Sequence, residues 1–152
     1  MKEPLIFDTS VWINFLNKKD TPEAELLETY ILEDAQVLIT PTILQEILQG
    51  VRDDSKYNQI KEMLSYFQLL EMPVYQAAVG AAELIRSLRK QGVTIRKSND
   101  CLIAYFAIWF SVPLVHSDRD FDLMVGHSEL SIHRDSPITH PAASRPDSPP
   151  PP

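Results

Sequence analysis

Short apolar runs alternate with amphipathic segments along most of this chain. The runs predict buried strands at Leu5–Phe7, Val37–Ile39, Leu69–Leu70 and Pro113–Val115, with a last edge strand at Leu130–His133. Between the runs, apolar residues recur every three or four positions, which predicts helices. Strands that alternate with helices predict an α/β fold, in which a mainly parallel sheet of about four to five strands lies between two layers of helices.

Polar residues before several amphipathic segments predict where helices begin. Thr9 or Ser10 is expected to cap the first helix, and Ser98 is expected to cap a late apolar helix over Asn99–Phe110. The longest predicted helix covers about residues 75–91. The face that it is expected to bury comprises Ala78, Ala82 and Ile85.

The composition changes near the end of the chain. Seven of the last sixteen residues are proline, and the chain ends in the run Pro149–Pro152. Proline-rich segments build no packed core and are extended or disordered. We therefore expect one folded domain over residues 1–136 and a disordered, proline-rich tail over residues 137–152.

Composition and charge narrow the class of protein. The chain has 152 residues, of which 44% are hydrophobic, as in a globular domain. It has one cysteine, Cys101, no segment typical of a signal peptide and no apolar run long enough to span a membrane, so we expect a cytoplasmic protein without a membrane partner. The formal net charge of -7 disfavours binding of nucleic acid through overall charge, so such binding would depend on local basic residues.

Acidic residues follow the predicted strands or begin the predicted helices. Asp8 and Asp118 come just after strands, Glu46 lies in the first two turns of a helix, and Asp100 lies in a first helical turn. Ligands of α/β proteins collect at the carboxyl ends of the strands, so these four acids are candidates for one cleft. Taken singly, Asp8 and Asp118 are more often ordinary turn residues, and Asp100 is more often a first-turn acid. Glu46 is harder to explain in this way, because its helical neighbours are expected to be buried and a buried carboxylate needs a partner. Four acids in one cleft would repel one another unless a hard cation such as Mg²⁺ or Mn²⁺ bridged them.

The sequence around these acids resembles a known family. Asp8-Thr9-Ser10 after an apolar strand, Glu46 in mid-chain, Asn99-Asp100 at the start of an apolar helix, and the segment His116–Phe121 together look like a PIN-domain ribonuclease. Their order and spacing are most similar to the VapC-type toxins of toxin-antitoxin pairs. The resemblance covers roughly residues 5–133.

That resemblance implies a PIN-like three-layer α/β/α fold and an endoribonuclease that uses one or two Mg²⁺ or Mn²⁺ ions. It implies a catalytic and metal-binding quartet of Asp8, Glu46, Asp100 and Asp118. Asp120 is the alternative fourth metal ligand, and Ser10 matches the residue that supports the first acid. The implied partners are an RNA substrate, a cognate antitoxin and a second copy of the chain.

Basic residues near the predicted site are candidates for RNA binding. They are Arg86, Arg89 and Lys90 on one helical face and Arg96 and Lys97 just before Asp100. The alternative interpretation is a solvated helix face with ordinary charges. His116 is either a structural residue or a residue that contacts substrate, and the sequence leaves that choice open.

Two other functions fit an α/β protein with clustered acids. A non-catalytic, Mg²⁺-binding receiver-like module would carry a lysine after a late strand, but none follows Val115. A catalytically inactive scaffold would have lost acidic residues, but all four matching positions are acidic. We therefore favour the ribonuclease.

Overall fold

The computed structural model describes residues 2–133, in which a parallel sheet is flanked by helices. The strands are β1 (Leu5–Phe7), β2 (Val37–Ile39), β3 (Gln68–Leu69) and β4 (Leu114–Val115). The helices are α1 (Thr9–Leu16), α2 (Pro22–Leu32), α3 (Pro41–Gln49), α4 (Asp54–Leu64), α5 (Val74–Lys90), α6 (Ser98–Phe110) and α7 (Arg119–Val125). The predicted α/β fold is confirmed.

The four strands lie in the order β3-β2-β1-β4, and every pair is parallel. The strand predicted over Leu130–His133 is reduced to a single bridge between Ile132 and Leu114. The central position of β1 explains its unbroken apolar sequence, because a strand covered on both faces has no solvent side. All of its residues are 0% exposed.

The first helix and α6 begin differently from the prediction. Asp8, rather than Thr9 or Ser10, is the N-cap of α1, because its backbone is extended and its side chain accepts a hydrogen bond from Ser10 N. Ser98 is the first residue of α6 rather than its cap. The capping position is held by Lys97, whose side chain makes no capping hydrogen bond.

The buried face of α5 also differs from the prediction. Ala78 and Ala82 are exposed and Ile85 is half-buried, whereas the buried residues of α5 are Gly80, Ala81 and Leu88. The cause is the packing of α5 on α6, where the Tyr105 ring occupies the space that a side chain at Gly80 would need. Small residues at this contact let the two helices approach closely.

The predicted proline-rich tail, residues 137–152, lies outside the described residues, as do residues 1 and 134–136 of the predicted domain. Within residues 2–133, no helix is both long and apolar enough to cross a membrane.

Candidate active site

The sheet brings two acidic segments together at the carboxyl ends of its central strands. β1 and β4 are paired in register at Phe7 and Val115, so the residues that follow them leave the sheet side by side. Asp8 N donates a hydrogen bond to Val115 O over 2.9 Å, which ties the start of α1 to the segment before α7. The segments that begin at Asp8 and His116 therefore lie side by side at the strand ends, where the cleft was predicted.

Three carboxylates form the centre of the site, and we call them the acid cluster: Asp100, Asp118 and Asp120. One oxygen of each lies within 4.8 Å of the others. Asp100 is 5% exposed and Asp120 is 4% exposed. Each of these two has a buried Oδ2 without a hydrogen-bond partner among the described residues. Such an arrangement is costly without a cation, since buried carboxylates need a partner and like charges repel.

The sequence left Asp118 and Asp120 as alternatives, but the structure places both in the acid cluster. Asp118 is the N-cap of α7, and its Oδ1 accepts a hydrogen bond from Asp120 N over 3.0 Å. The first turn of α7 thereby directs both side chains toward Asp100. They are two members of one site.

Asp8 lies at the end of β1 and is 4% exposed. Its Oδ2 accepts two hydrogen bonds from Ser10, from the hydroxyl at 2.7 Å and from the backbone N at 3.1 Å. Ser10 Oγ also accepts a hydrogen bond from Ser117 N, which connects the start of α1 to the segment before α7. Ser10 therefore stands where a supporting residue was predicted.

Glu46 lies near Asp8 and is held by neutral donors. Thr9 Oγ1 donates to Glu46 Oε1 over 2.6 Å, and Asn99 Nδ2 donates to Glu46 Oε2 over 3.1 Å. These contacts join α3 to the first residues of α1 and α6. We did not predict that Thr9 and Asn99 would hold Glu46, and the only signal in the sequence was that each neighbours a predicted site acid.

The electrostatics of the site follow from burial and like charge. Burial, helped by the neighbouring acids and opposed by the charge of Lys97, raises the pKa of Asp100 to about 7. Burial also raises the pKa of Asp8, against the hydrogen bonds from Ser10. Burial opposes ionisation of Asp118 too, but the hydrogen bond from Asp120 N and the contact with Lys97 outweigh it and lower the pKa.

Two of the predicted basic residues reach the acid cluster and three do not. Lys97 Nζ lies 3.3 Å from Asp118 Oδ2, and the Arg96 guanidinium lies 3.9 Å from Asp120 Oδ1. The pKa of Lys97 is raised, mainly by the negative charge of Asp100. Along residues 2–133, the remaining three basic residues are exposed on α5 and form no ion pair with the acid cluster: Arg86, Arg89 and Lys90.

His116 is a structural residue of the segment before α7. Its side chain is 8% exposed, and its Nε2 lies 3.3 Å from Asp122 Oδ1. Its Nδ1 accepts a hydrogen bond from Asp118 N, and its ring packs against Phe121. His116 therefore fixes the path of the chain on which two of the cluster's acids lie.

Comparison with known proteins places this site in a family. The model of the PIN domain matches residues 5–126, which include every acid described above. The chain belongs to the PIN domain family. A VapC ribonuclease of Mycobacterium bovis, Mb1587, and Ribonuclease VapC11 of Mycobacterium tuberculosis are each 30% identical to it over 127 residues, covering 83% of this chain and 95% of the relative.

Solved structures show the same PIN fold. A chain of the VapBC2 structure from Rickettsia felis superposes on this protein with a TM-score of 0.68 and is 20% identical to it. The match covers 86% of this chain and 97% of the Rickettsia felis chain. In the DNA-bound VapBC structure from Salmonella typhimurium, the TM-score is 0.67 at 19% identity, with coverages of 87% and 98%. Both TM-scores confirm the predicted three-layer fold.

Proposed function

We propose that this protein is a metal-dependent endoribonuclease that hydrolyses RNA phosphodiester bonds. The observation that carries the proposal is the acid cluster, in which Asp100 and Asp120 each bury an oxygen that has no hydrogen-bond partner among residues 2–133. This cluster lies at the strand ends of a PIN domain. The relatives whose names describe them as ribonucleases match 83% of this chain, which supports RNA as the substrate.

The acid cluster fits a divalent cation of the hard, oxygen-binding kind. Its donors are all carboxylate oxygens, and Mg²⁺ and Mn²⁺ prefer such ligands over nitrogen or sulfur. We propose that Asp100, Asp118 and Asp120 hold Mg²⁺ or Mn²⁺, with Asp8 and Glu46 as the further acids of the metal site. A cation bound there supplies positive charge that activates water and stabilises the charge that develops on the phosphate.

The chain's own residues perform the remaining tasks of the reaction. Ser10 holds the Asp8 carboxylate through two hydrogen bonds, and Thr9 and Asn99 hold both oxygens of Glu46. Fixed acids are effective because they need no rearrangement at the moment of reaction. We assign the catalytic role to Asp8, Glu46, Asp100 and Asp118, with Asp120 as a further metal ligand.

Basic residues at the rim are suited to guide the substrate. Arg96 and Lys97 lie beside the acid cluster, and both are exposed. Phosphate contacts from arginine and lysine supply most of the sequence-independent affinity for nucleic acid. We propose these two residues as the nearer phosphate contacts and the three α5 residues, Arg86, Arg89 and Lys90, as weaker ones.

Similar solved structures support a proposal about the biological setting of this chain. Three of the similar solved structures are of VapBC proteins, and the one from Mycobacterium tuberculosis is described as a member of the VapBC family of toxin-antitoxin systems. We therefore propose that this chain is the toxin of a type II pair. Its partners would be a cognate antitoxin and a second copy of the chain, in the cytoplasm. We further propose that residues 1–136 form the nuclease domain, in which case a chain that ends at residue 136 should cleave RNA as the full chain does.

The decisive experiment is a cleavage assay with total RNA, including tRNA, with and without Mg²⁺ or Mn²⁺. The wild-type protein should cut RNA only when metal is present, and EDTA should stop the reaction. Single variants of the site acids should lose at least about 100-fold in rate, since each removes a metal ligand or a catalytic carboxylate: Asp8→Asn, Glu46→Gln, Asp100→Asn, Asp118→Asn and Asp120→Asn.

The matched control is Asp20→Asn, which removes an exposed carboxylate of the same type outside the site. It should cleave RNA at the wild-type rate. Full activity in EDTA, or in all of the site variants, would contradict the proposed function.

A further inference from the structure

The segment that joins α5 to α6 brings two cations to the acid cluster. Lys97 contacts Asp118 at 3.3 Å, and Arg96 approaches Asp120 at 3.9 Å. Asp120 is almost fully buried, whereas the side chains of Arg96 and Lys97 are 76% and 60% exposed. Two of the three clustered carboxylates therefore already have a cation of the protein beside them.

The apolar residues of this joining segment pack on the core, whereas its basic residues are exposed. Val93 and Ile95 pack against the core, while Arg96 and Lys97 extend into solvent. Lysine has a long side chain with several rotatable bonds, and exposed ion pairs of this kind are weak. Lys97 can therefore leave its carboxylate partner without a change in the fold.

The two cations satisfy only part of the acid cluster. The Oδ2 atoms of Asp100 and Asp120 have no hydrogen-bond partner among residues 2–133, although Arg96 and Lys97 lie close by. A divalent cation held by these carboxylates would place two positive charges next to the Lys97 ammonium. Neighbouring like charges repel, so the metal and the Lys97 ammonium compete for the same carboxylates.

We propose that Lys97 is an internal counter-ion of the metal-free site and that the divalent cation displaces Lys97 from Asp118. Lys97 thereby sets the metal concentration at which the site fills. The proposal rests on the proposed function, because it takes Asp100, Asp118 and Asp120 as metal ligands. It differs from a phosphate-binding role, because it assigns Lys97 an effect on metal affinity in the absence of RNA.

The test is Mn²⁺ binding to the full-length protein, measured by isothermal titration calorimetry at low salt without RNA. Lys97→Gln should bind Mn²⁺ about 3- to 10-fold more tightly than wild type, because the competing charge is gone. Lys97→Arg keeps the charge and should remain within about 2-fold of wild type. The tightening in Lys97→Gln should shrink as salt rises, since exposed charges are screened.

Lys56→Gln is the matched control. It removes an exposed lysine of α4, so it changes the net charge by the same amount without touching the acid cluster. It should bind Mn²⁺ as wild type does. A contact that merely supported the fold would weaken metal binding when removed, so tighter binding in Lys97→Gln alone separates the two roles.

Unchanged or weaker Mn²⁺ binding by Lys97→Gln would overturn the proposal. Arg96→Gln gives an independent measurement, because its longer contact with Asp120 predicts a smaller tightening in the same direction. If Lys97→Gln does not fold, as judged by circular dichroism, unchanged or weaker binding by Arg96→Gln overturns the proposal instead.

The failures of this proposal and of the proposed function are distinguishable. A wild-type protein that binds no Mn²⁺ contradicts both. A wild-type protein that binds Mn²⁺ and cleaves RNA, with Lys97→Gln binding Mn²⁺ as wild type does, contradicts only the counter-ion role.

Discussion

Replacing Asp100 with asparagine should stabilise the metal-free protein at alkaline pH. Asp100 is 5% exposed, and its Oδ2 has no hydrogen-bond partner among the described residues. Burial, together with the neighbouring acids, raises its pKa from the ordinary 3.8 to about 7. Asparagine has nearly the same shape but carries no charge. The substitution therefore removes an unfavourable charge and leaves the packing almost unchanged.

The direction of the pH dependence follows from the two pKa values. Because the folded-state pKa lies above the unfolded-state value, ionised Asp100 destabilises the fold, increasingly from about pH 4 to pH 7 and then constantly. A shift of this size corresponds to roughly 2–4 kcal/mol at pH 8, once local relaxation and nearby water are allowed for. Below both pKa values the carboxyl is protonated in either state, and the penalty disappears.

The assay is urea unfolding in EDTA at pH 8 and pH 5, for wild type and Asp100→Asn. The variant should gain roughly 2–4 kcal/mol in free energy of unfolding at pH 8 and about two-fifths as much at pH 5. Saturating Mn²⁺ should stabilise the wild-type protein and stabilise the variant far less. The exposed control Asp20→Asn should stay within about 0.5 kcal/mol of wild type. An Asp100→Asn protein that is no more stable than wild type at pH 8 would refute the reasoning.

Three further predictions concern residues that position others. Gly80→Ala should lower the free energy of unfolding, measured in urea, by about 1–3 kcal/mol, because the added Cβ would overlap the Tyr105 ring. Unchanged stability would show that this ring is free to move. Thr9→Val removes the hydrogen bond to Glu46 and should lower kcat about 10-fold, whereas Thr9→Ser should restore it; a fully active valine variant would contradict a role for this contact. Ser10→Ala should weaken Mn²⁺ binding about 10- to 100-fold by calorimetry, and wild-type affinity would count against its supporting role.

The order of strands and helices could be predicted from the sequence because most of the strands are short and buried, so that each of these is an apolar run. The apolar run Leu5–Phe7 with an acid directly after it suffices to place Asp8 at the end of a buried strand. The helix Asn99–Phe110 was equally clear, since almost every position in it is apolar. The alternation of such elements then leaves few arrangements besides a parallel sheet.

The buried face of α5 was predicted wrongly because alanine is a weak indicator of burial. Ala78 and Ala82 have helical spacing with Ile85, but the contact with α6 is set by one large ring on the other helix. The position of Tyr105 over Gly80 depends on tertiary packing that no local pattern of α5 contains.

The details of the site depended on side-chain directions that spacing does not determine. The sequence left Asp118 and Asp120 as alternatives for the fourth acid, whereas the first turn of α7 directs both toward Asp100. The contacts of Thr9 and Asn99 with Glu46 join three helices that are distant in sequence. Such contacts become visible only when the sheet has brought these helices together.

The most direct test of the metal site is a crystal structure of the protein with Mn²⁺, analysed for anomalous scattering. We predict an anomalous peak within about 2.6 Å of carboxylate oxygens of Asp100, Asp118 and Asp120. The peak should vanish in Asp100→Asn crystals prepared in the same way. A peak at another place, or none at millimolar Mn²⁺, would contradict the claim that these acids hold the catalytic metal.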